Sequence, residues 1–255
     1  MKKLFLFLCF VILGLPSVAK EVDMISISRY EGSVITGVEI SHSFDVTLIS
    51  SSFCIAEVEI PAELEKYLRF ELKSDGTLVI ELDKTGNEKL KKIIKNKDSR
   101  KYLKARINTA VINKLVISGA VRLNGEGIFS AETDKMNIIV SGASNVNSLS
   151  ISAHDVKAVI SGASRINDLS LNASGNTSIN ISGATNTTMS IESPVLRCNI
   201  SGASRSKIIH YGISSSVDVS GASSLNISGE VEERNIRNSG ASTINKSGYV
   251  VKKEN

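Results

Sequence analysis

The carboxylates of this sequence are the side chains most able to do chemistry, so their spacing is the first test of function. Hydrolysis of a glycosidic bond needs two carboxyl groups about 5–9.5 Å apart. Few of the acids in residues 111–255 recur at matching positions, and Asp218 lies alone between two inward-facing valines. These acids are Glu126, Glu132, Asp134, Asp155, Asp168, Glu192, Asp218, Glu230, Glu232 and Glu233. We expect isolated surface acids and no catalytic residues, as in a protein that is not an enzyme.

Metal and nucleophile motifs are also missing from the sequence. Calcium takes six to eight oxygen ligands, and no cluster of Asp and Glu supplies them. His42, His154 and His210 have no second His or Cys at the spacing of a zinc site. The Gly-x-Ser-x-Gly pattern of a nucleophile elbow does not occur. We therefore expect neither a metal nor a cofactor.

Three arginines, Arg122, Arg165 and Arg205, stand at equivalent positions, two residues after an alanine of a repeated tripeptide. Arginines along one edge could hold an acidic sugar. They could also be solvated surface charges, and we favour that interpretation.

The element that positions these residues is an internal repeat, the tripeptide Ser-Gly-Ala. It starts at Ser118, Ser141, Ser161, Ser182, Ser201, Ser220 and Ser239. The successive spacings are 23, 20, 21, 19, 19 and 19 residues. A unit of this length cannot bury its apolar side chains alone, whereas stacked units can.

Aliphatic residues alternate before each tripeptide, as in Ile179 and Ile181, and place two columns on one side of a strand. A further mostly apolar column follows three residues after each alanine, and Asn comes next in five of the seven units. Glycine suits a corner that needs positive φ, and stacked Asn amides can bond between units. The pattern predicts an all-β fold, a right-handed single-stranded parallel β-helix of seven rungs over residues 111–255.

Residues 20–110 predict an irregular β-rich start to the same solenoid rather than a separate domain. Strands are expected at residues 33–40, 44–50, 53–60 and 77–82, with a helical turn within residues 61–68. Asp75-Gly76 predicts the turn of a hairpin. In the last rung, Asn238 replaces an inward aliphatic residue among basic side chains, which indicates a polar cap.

The basic insertion at residues 84–106 carries ten Lys and Arg against two acids. Leu90, Ile93 and Ile94 have the spacing of a short amphipathic helix. The segment could be a basic patch for an anionic polysaccharide, lipid headgroups or nucleic acid. It could instead be a solvated insertion whose apolar residues lie on the solenoid, and we favour this second interpretation.

Residues 1–19 predict a signal peptide, with Lys2 and Lys3 before an apolar run and small residues Ser17 and Ala19 before the cleavage site. The run is too short to remain as a membrane span. Without the two lysines the net charge falls from +4 to +2, which indicates no nucleic-acid partner. Cys54 and Cys198 could then pair, although Cys198 falls at an inward position of the repeat, where a buried free thiol is the favoured interpretation.

These residues resemble a known family. The stretch Phe-Asp-Val-Thr-Leu at residues 44–48, Asp-Gly-Thr-Leu-Val-Ile at residues 75–80 and the repeated Ser-Gly-Ala are similar to the putative auto-transporter adhesin head domain, found mostly in Bacteroidetes. The resemblance covers nearly all of residues 20–255, and the basic segment departs from it. It implies a right-handed β-helix and a location outside the cytoplasm: periplasm, cell surface or secreted.

Three functions remain open. The favoured one is an exported binding or adhesion module that recognises a glycan or a surface protein through the solenoid face. The second is a lyase or glycosidase with an unrecognised site. The third is a structural envelope protein that assembles end to end as a homo-oligomer.

Overall fold

The computed structural model of the protein describes residues 22–94 and 98–252. It contains one α-helix, α1 (Lys84–Ile94), two 3-10 turns (Ala62–Tyr67 and Ser99–Lys101) and many short strands. The strands are β1 (Met24–Arg29), β2 (Gly37–Ile40), β3 (Asp45–Ile49), β4 (Ile55–Pro61), β5 (Leu68–Leu72), β6 (Thr77–Leu82), β7 (Lys104–Asn108), β8 (Lys114–Ile117), β9 (Arg122–Glu126), β10 (Ile128–Ser130), β11 (Lys135–Val140), β12 (Asn145–Ala153), β13 (Asp155–Ile160), β14 (Arg165–Ala173), β15 (Asn176–Ile181), β16 (Asn186–Glu192), β17 (Val195–Ile200), β18 (Arg205–Tyr211), β19 (Ser214–Val219), β20 (Ser224–Val231), β21 (Glu233–Asn238) and β22 (Thr243–Val251).

Two sheets form the walls of a parallel β-solenoid, which confirms the predicted fold class. Sheet A runs in the order β1-β4-β7-β3-β9-β12-β14-β16-β18-β20-β22, with β10 beside β12. Sheet B runs β21-β19-β17-β15-β13-β11-β8-β2-β6-β5. Each Ser-Gly-Ala joins a strand of sheet B to the next strand of sheet A, so the seven tripeptides mark seven turns.

The inward columns stack as the alternation predicts. Ile160, Ile181 and Ile200 lie in register on neighbouring strands of sheet B, and all are almost fully buried. Val146 and Ile166 do the same in sheet A. Burial of stacked aliphatic side chains is the main source of stability in such a repeat, because each layer covers the next.

Glycine is required at the corners by the stacking itself. The glycines of all seven tripeptides have positive φ. A Cβ added to Gly202 would lie 2.5 Å from the carbonyl oxygen of Gly183 in the layer before it. Any larger residue would clash with the neighbouring corner and adopt a strained conformation.

A buried hydroxyl completes most corners. The residue after each alanine is Ser or Thr from the second turn onward, and in Ser144, Ser164 and Ser204 its hydroxyl donates to the carbonyl oxygen of the serine three residues earlier. The bond from Ser164 to Ser161 measures 2.7 Å. It satisfies a buried polar group locally, so the extended motif Ser-Gly-Ala-Ser/Thr serves the architecture.

The N-terminal part shares both sheets with the repeats. Strands β2 and β3 pair in parallel with β8 and β9, and β6 and β7 pair in parallel with β2 and β3. The corner between β2 and β3 has the same shape as the later ones, with His42 in the position of glycine at φ 71°. The backbone amide of Ala120 donates to the carbonyl oxygen of His42.

Antiparallel strands close the N-terminal end. β4 pairs with β7, β1 pairs with β4, and β5 pairs with β6 through the predicted hairpin at Gly76. Arg29 and Tyr30 reach from the edge of sheet A to sheet B, where both donate to the carbonyl oxygen of Phe70 at 3.1 and 3.0 Å. These contacts tie the two outermost strands together.

The predicted strands are found, with changed bounds. Residues 77–82 match β6, and the helical turn within residues 61–68 is the 3-10 turn Ala62–Tyr67. The predicted strand at residues 33–40 is shorter, because residues 33–36 form an irregular loop before β2. Strand β1 was not predicted, although its Ile25 and Ile27 alternate with serines.

The C-terminal end is polar. Asn238 and Arg234 stand at positions equivalent to the buried Val219 and Ser215, and both are exposed. The guanidinium of Arg234 lies 5.8 Å from the centre of the Tyr249 ring. Polar side chains here shield the last apolar layer at the edge of sheet B, whereas Val250 and Val251 of β22 are exposed at the edge of sheet A.

The predicted signal peptide, residues 1–19, lies outside the described residues. Within residues 22–94 and 98–252, no helix has the length and apolar character needed to span a membrane.

Candidate binding surface

Three acids of the repeats have polar partners: Asp155 accepts from Asn176, Asp218 accepts from Arg237, and Glu230 pairs with Lys252. Asp218 points outward as predicted, but it is not alone, since Arg237 on the next strand donates to it at 2.5 and 2.9 Å. This bond lowers the pKa of Asp218 below its usual value. A general acid needs a raised pKa so that it holds a proton at neutral pH, and Asp218 is poorly suited to that role.

One Ser-His-Asp group does form at the corner between β12 and β13. Ser174 lies 2.9 Å from Nδ1 of His154, and Asp155 follows in the chain. The carboxylate of Asp155 accepts from the backbone amide of Asn176 at 2.7 Å, which lowers its pKa. In a catalytic triad the carboxylate would instead orient the imidazole. The geometry here is that of a hydrogen-bonded corner.

The other two histidines also have structural partners. Ser41 lies 2.9 Å from Nδ1 of His42 at the first corner. His210 is buried in the core, with Nδ1 2.6 Å from the hydroxyl of Tyr249 and Nε2 3.0 Å from the carbonyl oxygen of Ser193. No group of His, Cys, Asp and Glu with metal-binding geometry occurs in the part of the chain that the structure describes.

Cys54 and Cys198, the two cysteines within the described residues, are free thiols. Cys198 is buried at an inward position of β17, as the repeat predicts, and burial raises its pKa to about 12. A thiol that stays protonated at neutral pH is a poor nucleophile. Cys54 is half-buried in a separate region of the chain.

The basic segment forms the predicted amphipathic helix, α1. Leu90 and Ile94 are buried against the solenoid, so the apolar face of the helix is already covered. Lys89 pairs with Glu63 at 3.1 Å, and Lys104 pairs with Glu59 at 3.0 Å. The covered apolar face is what the interpretation as a solvated insertion predicts, and the two ion pairs neutralise part of the positive charge.

The arginines singled out from the sequence lie in one outward row of sheet A, named here the arginine row. Register places Arg122, Asn145, Arg165, Asn186, Arg205 and Ser224 side by side on consecutive strands. Arg122 pairs with Asp45 at 3.4 Å, whereas Arg165 and Arg205 are exposed and make no ion pair within the described residues. One arginine of the row is thus neutralised by a carboxylate, whereas the other two can bind a ligand anion.

A second outward row runs parallel to the first, two residues further along each strand. It contains Asn124, Asn147, Asn167, Thr188, Lys207 and Asn226. The amide of Asn147 donates to Asn124, and that of Asn167 donates to Asn147, each at 2.9 Å. The stacked Asn amides that the repeat predicts therefore exist in these three turns. Lys207, which the sequence analysis missed, follows from the same spacing, since it stands two residues after Arg205.

Besides an open depression of about 460 Å³ beside Asp218 and Arg237 at the C-terminal end, three others bear on binding. One of about 380 Å³ lies at the N-terminal end of the two rows, lined by Asp45, Lys104, Arg106 and Asn124 among others. Another of about 300 Å³ lies over the later part of the long strands of sheet A, and serines dominate it. The third, of about 260 Å³, lies beside the exposed Val34 and Phe53.

Comparisons with known proteins agree with this architecture. The family model described as "Putative auto-transporter adhesin, head GIN domain" matches residues 35–190, more than half of the chain. No curated protein is significantly similar in sequence.

Several solved structures share the fold. A putative adhesin from Bacteroides fragilis NCTC 9343 aligns with a TM-score of 0.62 and 15% identity, covering 89% of this chain and 98% of its own. A putative lipid binding protein from Parabacteroides distasonis ATCC 8503 has a TM-score of 0.56 and 16% identity, covering 88% and 96%. A putative adhesin from the same strain has a TM-score of 0.56 and 15% identity, covering 88% and 97%.

At these identities the structural likeness establishes a common fold, and the family model establishes the relationship. The family match contains β2 to β15 and the first corners of the repeat. The chain belongs to the putative auto-transporter adhesin, head GIN domain family.

Proposed function

We propose that the protein is an exported, non-catalytic binding module of the adhesin type that recognises a glycan or a surface protein through its exposed solenoid face. The observation that supports it is the pair of outward rows on sheet A. They present Asn, Arg, Thr, Lys and Ser side chains at the regular spacing of the strands. Sugars offer hydroxyl groups that both donate and accept, and such side chains match them.

Rigidity favours this role. The parallel ladder and the stacked corners fix the outward side chains of neighbouring turns, so little backbone freedom is lost when a ligand binds. Solenoids present long surfaces that suit extended ligands. An extended polymer would make several weak contacts at once and bind through their combination.

The adhesin family suggests a protein that is exported or at the surface, and the predicted signal peptide supports the same location. Periplasm, outer surface and secretion are all compatible with a module of this kind.

A lipid is the second candidate ligand. One solved relative is described as a putative lipid binding protein. In this chain the depression beside Val34 and Phe53 has two exposed apolar side chains close together, 69% and 51% accessible. Exposed apolar patches often mark binding sites.

A screen of residues 20–255 against a glycan array, at low and high salt, tests the proposal, with liposomes as a second arm. Binding to glycans supports it, and a loss of signal at high salt indicates acidic glycans. Binding to liposomes alone would replace it with a lipid-binding role. Turnover of any glycan that disappears on acid-to-amide substitution would overturn the non-catalytic assignment.

A further inference from the structure

We propose that sheet A binds an acidic polysaccharide lying along the solenoid axis, with Arg165 and Arg205 each holding one acid group of the polymer. This inference rests on the proposed binding function and narrows it to a class of ligand and a place on the surface. The favoured polymer carries one acid group per disaccharide.

The distance between the two arginines should equal the distance between neighbouring acid groups along the ligand. Arg165 and Arg205 occupy the same register position on β14 and β18, with Asn186 of β16 between them. Neighbouring strands lie about 4.8 Å apart, so the two arginine positions are roughly 10 Å apart along the axis. That distance is close to the length of one disaccharide in an extended polysaccharide. The amide of Asn186 then faces the uncharged sugar between two acidic ones.

The charge around the arginines favours an anion. In the two outward rows, every residue that the structure places on β12, β14, β16, β18 and β20 is Asn, Arg, Thr, Lys or Ser. Lys207 adds a second positive charge beside Arg205. The nearest acid along the strand is the exposed Asp168, three residues after Arg165, at a point where the register with β16 shifts.

Arg122 supplies a comparison within the same row. Asp45 pairs with it at 3.4 Å, so a polymer reaching this turn would have to compete with a carboxylate already in place. Arg165 and Arg205 have no such competitor within the described residues. A guanidinium offers a planar fork that fits a carboxylate or sulfate through two hydrogen bonds.

Each exposed contact is weak by itself. An ion pair at the surface is worth about 0.2–1 kcal/mol, or up to about fivefold in affinity. Two such contacts on one polymer act together, since binding of the first acid group holds the second near its partner. The site is therefore expected to bind long chains better than short ones and to weaken with salt.

The test measures binding of residues 20–255 to hyaluronan, which carries one carboxylate per disaccharide, and to carboxyl-reduced, uncharged hyaluronan. The double variant Arg165→Gln/Arg205→Gln is expected to lose about tenfold or more in affinity for hyaluronan, and each single variant about threefold. Asp168→Asn is expected to bind about twofold more tightly, because it removes a nearby negative charge.

Two control variants replace basic residues by glutamine outside the proposed site. Arg122→Gln removes an arginine already paired with Asp45, and Lys157→Gln/Arg197→Gln removes two exposed charges from sheet B. Both are expected to change affinity by less than about twofold. Apart from Arg122, which is half-buried, the variants replace exposed side chains, so their melting temperatures should stay close to that of the unchanged protein.

The outcomes separate this inference from the broader proposal. Equal binding of charged and carboxyl-reduced hyaluronan, or an unchanged affinity in the double variant, would overturn the arginine site while leaving a glycan-binding role in place. Failure to bind hyaluronan, together with binding of uncharged glycans on the array, would do the same. Absence of all glycan binding would overturn the arginine site and leave a surface protein as the ligand of the broader proposal.

Discussion

The corner between the two sheets is built in two ways in this molecule. In the seven regular turns it is Ser-Gly-Ala, with each glycine after Gly119 stacked on the one before. In the two layers nearest the N-terminus, one corner has His42 in the glycine position, and the other is the long insertion between β6 and β7 that contains α1. Both kinds of corner connect strands that pair in the same parallel sheets.

The difference shows that stacking, and not the turn itself, demands glycine. The missing side chain of Gly119 leaves room for the backbone of His42, whereas His42 faces no corner of the same shape in the layer before it. That layer uses residues 83–103, which begin with Asp83 accepting from the backbone amide of Gly86 at 2.7 Å and starting α1. A sequence insertion is tolerated where the stack of corners ends.

The largest expected effect tests the inward and outward assignment in the regular turns. Ile181→Asp would place an unpaired charge between Ile160 and Ile200 in the core. The free energy of unfolding is expected to fall by about 4 kcal/mol, because a buried carboxylate must lose its hydration or take up a proton. Chemical denaturation followed by circular dichroism measures this change.

The matched control for Ile181→Asp is the next residue. Ser182 is exposed at the corner, and Ser182→Ala is expected to cost well under about 1 kcal/mol. Equal losses in the two variants would refute the assignment of faces on which the solenoid and its two outward rows depend.

The next effect compares the two kinds of corner directly. Gly202→Ala would force a Cβ to within 2.5 Å of the carbonyl oxygen of Gly183, at a φ of 82°. We expect a loss of about 3 kcal/mol from strain and displacement of the backbone. His42→Gly relieves a left-handed non-glycine residue but adds freedom to the unfolded chain, so its effect is expected to stay within about 1 kcal/mol.

Thermal unfolding of both variants decides between stacking and turn geometry as the origin of the glycine requirement. If Gly202→Ala were tolerated as well as His42→Gly, neighbouring corners would not need to approach closely. The repeat would then require a different explanation, such as a ligand bound at the corners.

Much of this architecture could be predicted because the same pattern of residues occurs seven times in the sequence. Columns such as Ile160, Ile181 and Ile200 recur at fixed positions, and the register follows from the tripeptide that aligns them. The corner at His42 was not predicted, since it reads Ser41-His42-Ser43 and differs at two positions from the tripeptide by which the others are recognised. Strand β1 escaped because an antiparallel edge strand has no repeated neighbour in the sequence.

The candidate surface was predictable only in part. The shared position of Arg122, Arg165 and Arg205 follows from the repeat, but the pairing of Arg122 with Asp45 does not. Asp45 and Arg122 are far apart in sequence and meet because β3 returns beside β9. Long-range pairing of an irregular strand with a regular one decides which arginines remain available, and no local pattern encodes it.

The smallest expected effect is a pH dependence of stability. It tests whether the seven regular turns are equivalent, because one of them holds a histidine in its core. His210, Gly229 and Tyr249 lie in register, and the absent side chain of Gly229 lets the Tyr249 hydroxyl reach Nδ1 of His210. Burial lowers the pKa of His210. In the unfolded chain this histidine takes up a proton near pH 6.5, while in the folded protein it does so only at lower pH.

Stability from this group is therefore fully present above about pH 6.5 and is lost as the pH falls, by at most about 1.4 kcal/mol per pH unit. Melting curves between pH 8 and pH 5 should show the loss in the unchanged protein and not in His210→Gln. The exposed His154 gives the control, since His154→Gln should retain the loss. If His210→Gln kept the same pH dependence, the histidine turn would be as insensitive to protonation as its aliphatic neighbours, and the acids at the surface would have to account for the change.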